Sequence, residues 1–142
     1  MRTKVAIIGA GPAGLMLGQL LSLANISNVV IENRSRDYVE GRSRAGQITP
    51  ATVQILTESG VGARIHSEGM VHSTLQFHYE GSTRELNFQA LTGRTVTIYG
   101  QQEIIKDLIA ARLKTEFPLL FDAADVQIHD TDGFSPYVSF SH

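Results

Sequence analysis

The chain has 142 residues, 42% of them apolar, and a formal net charge of −2. That is enough chain and apolar content for a folded core, and the small charge leaves no electrostatic footprint for nucleic acid or an acidic membrane. Cysteine is absent, which excludes disulfides, thiolate catalysis and cysteine–zinc sites and fits a cytoplasmic location.

Val5-Ala6-Ile7-Ile8 reads as a buried strand, and Gly9-Ala10-Gly11-Pro12-Ala13-Gly14 as the turn that leaves it. A helix of apolar period follows from Ala13 to about Ala24, then a second apolar strand, Val29-Val30-Ile31, ending in Glu32. Together these parts predict a dinucleotide-binding βαβ unit. Gly9 allows the tight turn, Gly11 leaves room for a pyrophosphate against the backbone, and Gly14 lets the helix lie close on the sheet. The helix N-terminus aims free N–H groups at the phosphates. Glu32 stands where a carboxylate accepts from a ribose 2′-hydroxyl and repels a 2′-phosphate. The uncharged run from Val5 to Val30 also resembles a membrane span, but Gly9, Gly11, Pro12, Gly14, Gly18, Gln19, Asn25 and Asn28 argue against one.

The next window carries four arginines, Arg34, Arg36, Arg42 and Arg44, among scattered acids. Two readings stay open for it: a solvated loop or short helix, or guanidinium groups that neutralise phosphates. Thr49-Pro50 predicts an N-cap with proline at the first helical position and a helix to about Ser59, stopped by Gly60. A short helical turn is expected between Val61 and Glu68. Leu75–Tyr79 and Glu85–Phe88 alternate around Glu80-Gly81-Ser82, predicting a hairpin with one buried face. His72 falls in the loop leading to it. Thr95–Tyr99 reads as a strand, Gln101 to about Lys114 as a helix, and residues 119–121, 126–129 and 137–140 as short strands. Asp132-Gly133 marks the turn before the last of these.

The five histidines show no metal-ligand spacing, and neither a nucleophile elbow nor a P-loop lysine motif is present. No metal site is expected, and any hard chemistry belongs to a cofactor. The last strand runs to the end of the chain, and one βαβ unit with hairpins does not complete a doubly wound sheet. The sequence thus reads as the front part of a longer protein, inactive by itself.

The stretches VAIIGAGPAGLMLGQLL, NVVIE, DYVEGRSRAG, GMVH, VTIYGQQE and AADVQIHD with PYVSF together resemble the N-terminal part of the single-component FAD-dependent aromatic hydroxylases. The resemblance covers nearly the whole chain. It implies an α/β fold with a Rossmann-like FAD-binding core and an antiparallel hairpin insertion. In that reading residues 1–142 are the front of the FAD domain, about 73–98 form a hairpin excursion toward a substrate domain, and the substrate domain lies outside the chain. It implies that Gly9, Gly11, Ala13, Gly14 and Glu32 hold the ADP part of FAD. Arg42, Ser43, Arg44, Ala45, Gly46 and Gln47 pass along the pyrophosphate and flavin, and Gln101 meets the ribityl region. Arg34, Tyr38, Arg42 and Arg44 are implicated with NADPH or NADH, and His72 with the outer end of a proton relay from the phenolic substrate. The implied reaction is hydroxylation of 4-hydroxybenzoate to 3,4-dihydroxybenzoate with NAD(P)H and O2, by a cytoplasmic homodimer. Two other readings share this front end: a different flavoprotein or NAD-dependent dehydrogenase, and a nucleotide-binding module without catalysis.

Overall fold

A computed structural model describes all 142 residues. In chain order, β1 (Val5–Ile8), α1 (Pro12–Leu23), β2 (Asn28–Ile31) and α2 (Arg36–Gly41) precede β3 (Gln47–Ile48), α3 (Pro50–Glu58), α4 (Ala63–Glu68) and β4 (Met70–His72). Then come β5 (Thr74–Tyr79), β6 (Ser82–Asn87), α5 (Phe88–Thr92), β7 (Val96–Ile98) and α6 (Gln101–Arg112). The chain closes with β8 (Leu119–Leu120), β9 (Ala124–His129) and β10 (Tyr137–Ser141). These elements form two compact units, Met1–Ser43 with Gln102–His142, and Arg44–Gln101.

In the first unit β1, β2 and β8 make a parallel sheet with β2 in the middle. The βαβ unit expected from the sequence is therefore present. All four residues of β2 are buried because both faces of the sheet are covered. Val30 faces α1, its Cγ2 standing 3.0 Å from where a Cβ on Gly18 would be. Val29 and Ile31 face the opposite way and pack with Ala123 against Leu120, Val126, Val138 and Phe140, so the antiparallel β9–β10 ribbon covers that side. Each such buried aliphatic side chain contributes roughly 1.5–3 kcal/mol.

Helix α6 ends at Arg112, two residues short of the expected end at Lys114; Leu113, read as part of its apolar stripe, is mostly exposed. Arg112 itself is only 2% exposed. Its Nη1 donates to Gly18 O (3.3 Å), Ser22 Oγ (2.9 Å) and Asn28 Oδ1 (2.7 Å), and its Nη2 to Asn28 O (3.1 Å) and Pro118 O (2.9 Å). Desolvation pushes its pKa below the ordinary value. Arg112 follows Ile105, Leu108 and Ile109 on the apolar face of α6, so periodicity turns it toward the core but gives no hint of Gly18, Ser22 and Asn28, which lie far away in sequence.

In the second unit β3, β7 and β4 form an antiparallel sheet with β7 in the centre. Leu56, Val61, Ile65 and Tyr99 are buried there. The Thr49 hydroxyl caps α3 by accepting from Thr52 N at 3.3 Å, and Gly60 follows the helix with φ +80°, as the sequence predicts. Three expectations need correction. The β5–β6 hairpin turns at Glu80-Gly81, both with positive φ, but has no buried face: Leu75, Phe77, Tyr79 and Leu86 are all at least 41% exposed. The two strands pair only with each other, so alternation marks an apolar face that nothing in this unit covers. Phe88 does not extend β6; it begins α5, capped by the Asn87 side chain, which accepts from Ala90 N at 2.8 Å. His72 lies not in a loop but in β4, opposite Val96 of β7.

Candidate functional site

The turn between β1 and α1 is built from its glycines. Gly9 has φ +106°, a conformation that side chains disfavour, and its N–H donates to Ile31 O at 2.7 Å. That bond fastens the turn to the end of β2. At Gly14 a Cβ would collide with the Gly9 carbonyl oxygen and meet Ile7 Cγ2 at 3.2 Å, so only glycine lets the helix start this close to the strand. Gly11 is different. It caps α1 with φ −73° and ψ 174°, which any residue can adopt, and a Cβ there would meet nothing within 4 Å. The fold does not need a glycine at this point, and the missing side chain leaves the main chain open to approach.

Pro12 occupies the first helical position and Gly11 provides no side-chain cap. The N–H groups of Ala13 and Gly14 therefore have no acceptor within the helix. They lie at the positive end of a twelve-residue helix, where an anion such as a diphosphate is stabilised. Glu32 stands beside this turn. Its Oε2 accepts from Ala10 N at 2.8 Å and its Oε1 from Arg34 N at 2.9 Å. Each oxygen retains acceptor capacity, so a carboxylate already fixed by two main-chain donors can still receive a sugar hydroxyl. The sequence places Glu32 by the strand but shows nothing of this bridge to Ala10. The open backbone at Gly11, the free N–H groups and the anchored acid fit the adenosine diphosphate half of a dinucleotide.

A second cluster forms on α2. The Ser35 hydroxyl accepts from Tyr38 N at 3.3 Å and caps the helix. The Arg34 and Arg42 guanidinium carbons lie 5.3 and 5.9 Å from the centre of the Tyr38 ring. Such contacts are worth about 0.5–1 kcal/mol each at exposed sites. Arg36, by contrast, pairs with Glu40 at 2.6 Å. The arginine window is thus a short helix whose flanking arginines and half-exposed tyrosine form one cationic, aromatic surface.

Arg42 to Ala45 are exposed and outside regular structure. Gly46 is pressed against the main chain of Tyr99 and Gly100, where a Cβ would come within 2.7 Å of Tyr99 O; its own carbonyl accepts from Tyr99 N at 2.7 Å. Gln47 begins β3 opposite Ile98, and Gln101 opens α6. His72 is exposed on β4. The structure brings Gly9, Gly11, Ala13, Gly14 and Glu32 together at one turn and Arg34, Tyr38 and Arg42 at another. Arg44, Ala45, Gly46, Gln47, His72 and Gln101 belong to the other unit. No group of His, Cys, Asp or Glu side chains is arranged to hold a metal ion, and no helix is long and apolar enough to cross a membrane.

Comparison with known proteins bears on the same residues. The FAD binding domain family matches residues 2–142. The chain is 46% identical over 131 residues to p-hydroxybenzoate hydroxylase of Acinetobacter baylyi, covering 92% of this chain and 32% of that protein. The chain therefore spans about a third of the length of this curated relative. Among solved structures, PqsL of P. aeruginosa in complex with 2-aminobenzoylacetate superposes with a TM-score of 0.80 at 20% identity, over 96% of this chain and 38% of that one. The p-nitrophenol 4-monooxygenase PnpA of Pseudomonas putida DLL-E4 does so with a TM-score of 0.79 at 20% identity, over 96% of this chain and 35% of that one. At such identity these two show the fold alone. A match running almost from end to end, with a glycine turn and an anchored carboxylate whose geometry suits a dinucleotide, leads to one conclusion: the chain belongs to the FAD-binding domain family.

Proposed function

We propose that the full-length protein is a FAD-dependent hydroxylase that converts 4-hydroxybenzoate to 3,4-dihydroxybenzoate, using NADPH or NADH and O2. The observation that carries this reading is the 46% identity with p-hydroxybenzoate hydroxylase across 92% of the chain. A cytoplasmic homodimer is the form in which we expect it to act.

Bound FAD supplies the electron transfer and oxygen chemistry. In this reading the N–H groups of Ala13 and Gly14 hold the diphosphate, Gly9 and Gly11 keep the approach to it open, and Glu32 accepts from the adenosine ribose. Arg42, Ser43, Arg44, Ala45, Gly46 and Gln47 line the path toward the flavin, and Gln101 binds the ribityl chain. The Arg34–Tyr38–Arg42 surface, with Arg44, receives the nicotinamide dinucleotide: guanidinium groups pair with its phosphates and the Tyr38 ring offers a face for stacking. His72 takes up the phenolic proton of the substrate at its imidazole and passes it to solvent, a task histidine suits near neutral pH. Its pairing with Val96 on a strand keeps the backbone that carries it in place.

The direct test is purification of the full-length protein with its flavin. NAD(P)H oxidation and O2 uptake should rise on adding 4-hydroxybenzoate, with 3,4-dihydroxybenzoate as the chromatographed product. A yellow protein whose NAD(P)H oxidation ignores 4-hydroxybenzoate but responds to another phenol would move the substrate assignment and leave the hydroxylase reading standing. A colourless one would favour an NAD-dependent dehydrogenase or a non-catalytic module.

Two substitutions probe individual roles. Arg44→Lys keeps the charge but loses the paired donors, and is expected to weaken NAD(P)H or FAD binding roughly tenfold, about 1.4 kcal/mol. A solvated surface residue would show less than about 0.5 kcal/mol, so near-wild-type titrations and steady-state kinetics in the lysine variant would return Arg44 to that role. His72→Asn is expected to slow substrate-dependent flavin reduction while leaving FAD affinity unchanged, because the residue is exposed and the change is local. Stopped-flow reduction at the wild-type rate between about pH 6 and pH 9 would remove His72 from the relay.

A further inference from the structure

We infer that Arg112 is a positioning residue for the cofactor site: by clamping α1 to β2 and to the segment before β8, it sets where the first turn of α1 stands. The inference rests on the FAD reading above. The guanidinium touches the C-terminal half of α1 at Gly18 O and Ser22 Oγ, the start of β2 at Asn28 Oδ1 and O, and the approach to β8 at Pro118 O. Asn28 is itself held, its Nδ2 donating to Ile26 O at 2.8 Å.

None of these five acceptors belongs to a carboxylate. A buried cation bonded only to neutral oxygens, its Nε left without a partner, loses its hydration without a counter-charge, and an apolar side chain of similar volume commonly stabilises a core as well or better. What the guanidinium alone supplies is a flat fork of donors fixed relative to one another. One group then sets the mutual placement of three segments. Gly18 supports the same reading. A Cβ there would stand 3.0 Å from Val30 Cγ2, tighter than ordinary contact, and 3.5 Å from Arg112 Nη1, so the missing side chain lets α1 lie close on β2 where the fork joins them.

Helix α1 moves as a rod. At a rise of about 1.5 Å per residue, a tilt of roughly 5° about its Gly18–Ser22 half displaces the Ala13 and Gly14 N–H groups by about 1 Å. A displacement of about 1 Å carries an N–H···O contact out of its 2.7–3.2 Å range. Arg112 thus acts on the diphosphate site through α1, without touching the ligand.

The test uses full-length protein stripped of flavin and titrated with FAD by fluorescence quenching, well below its melting temperature. Hydrogen exchange across residues 12–23 is followed alongside. Arg112→Met should raise the FAD Kd about tenfold or more and speed exchange in α1, with Arg112→Lys intermediate. Leu108→Ala, a neighbouring buried position on α6, serves as a control for lost packing: it should lower Tm but move the Kd by less than about twofold. Should Arg112→Met not fold, the lysine variant carries the same comparison. Arginine variants with the wild-type Kd, or a Leu108→Ala Kd raised as much as theirs, would overturn the inference while the cofactor reading stands. A wild-type protein that binds no FAD would overturn both.

Discussion

Gly11→Ala and Gly14→Ala are both expected to weaken FAD binding in the full-length protein, but only Gly14→Ala should also lower its stability. At Gly14 the new Cβ meets the Gly9 carbonyl oxygen, a main-chain atom that no rotamer change can move aside. Alanine gains about 1 kcal/mol over glycine in helix propensity. Overpacking costs about 1–3 kcal/mol and sits at the upper end where backbone must shift. A net loss of about 1–2 kcal/mol should appear as a lower denaturation midpoint, with weaker FAD binding because the first turn of α1 is pushed off the strand. At Gly11 the backbone angles suit alanine and the Cβ has open space. Stability should stay within about 0.5 kcal/mol, yet FAD affinity should fall at least roughly tenfold because the methyl group occupies the approach to the main chain. Equal FAD affinity in Gly11→Ala and wild type would move the diphosphate away from this turn.

Glu32→Ala is expected to weaken FAD binding about tenfold to a hundredfold, from the loss of a charge-assisted hydrogen bond worth roughly 1.5–3 kcal/mol. The substitution has a second consequence that position alone does not suggest. Both carboxylate oxygens are anchored to main-chain donors, at Ala10 and Arg34, so alanine also frees the turn that carries Gly9 and Gly11. Glu32→Gln separates the two contributions. Its amide keeps one acceptor oxygen, which can serve Ala10 N or Arg34 N but not both, and it lacks the charge that strengthens the ribose bond. The glutamine variant should bind FAD between wild type and alanine, with less of the loss in stability. An FAD titration unchanged in Glu32→Ala would remove the residue from the site.

Arg112 shows where sequence reasoning stops. Its partners Gly18, Ser22 and Asn28 lie 84 to 94 residues away; the pattern of α6 carries it on the apolar stripe with Ile105 and Leu108, but names none of the groups it meets there. Only the folding of α1 and α6 onto the same face of β2 brings it to them. The β5–β6 hairpin shows the complementary failure. Leu75, Phe77 and Tyr79 alternate as a half-buried strand should, but alternation reports which side is apolar, not whether anything lies against it. Strands β3 and β4 span only Gln47–Ile48 and Met70–His72, too short for a period of two to register. Their pairing with β7 makes them strands, and so moves His72 from a loop onto a sheet.

What the sequence determined by itself was the βαβ core and its turn, because those signals are local. A run of β-branched residues favours the strand, a proline and an open N-cap start α1, and glycines stand where the main chain bends or is approached. The Thr49 cap and the Gly60 stop were legible for the same reason. Tertiary structure alone decided the bridge from Glu32 to Ala10, the gathering of Arg34 and Arg42 about Tyr38, the covering of β2 by the β9–β10 ribbon, and the seat of Arg112. Each joins groups whose geometry is set only once the chain has folded, and hydrogen-bond direction and close contact depend on distances that no spacing along a sequence encodes.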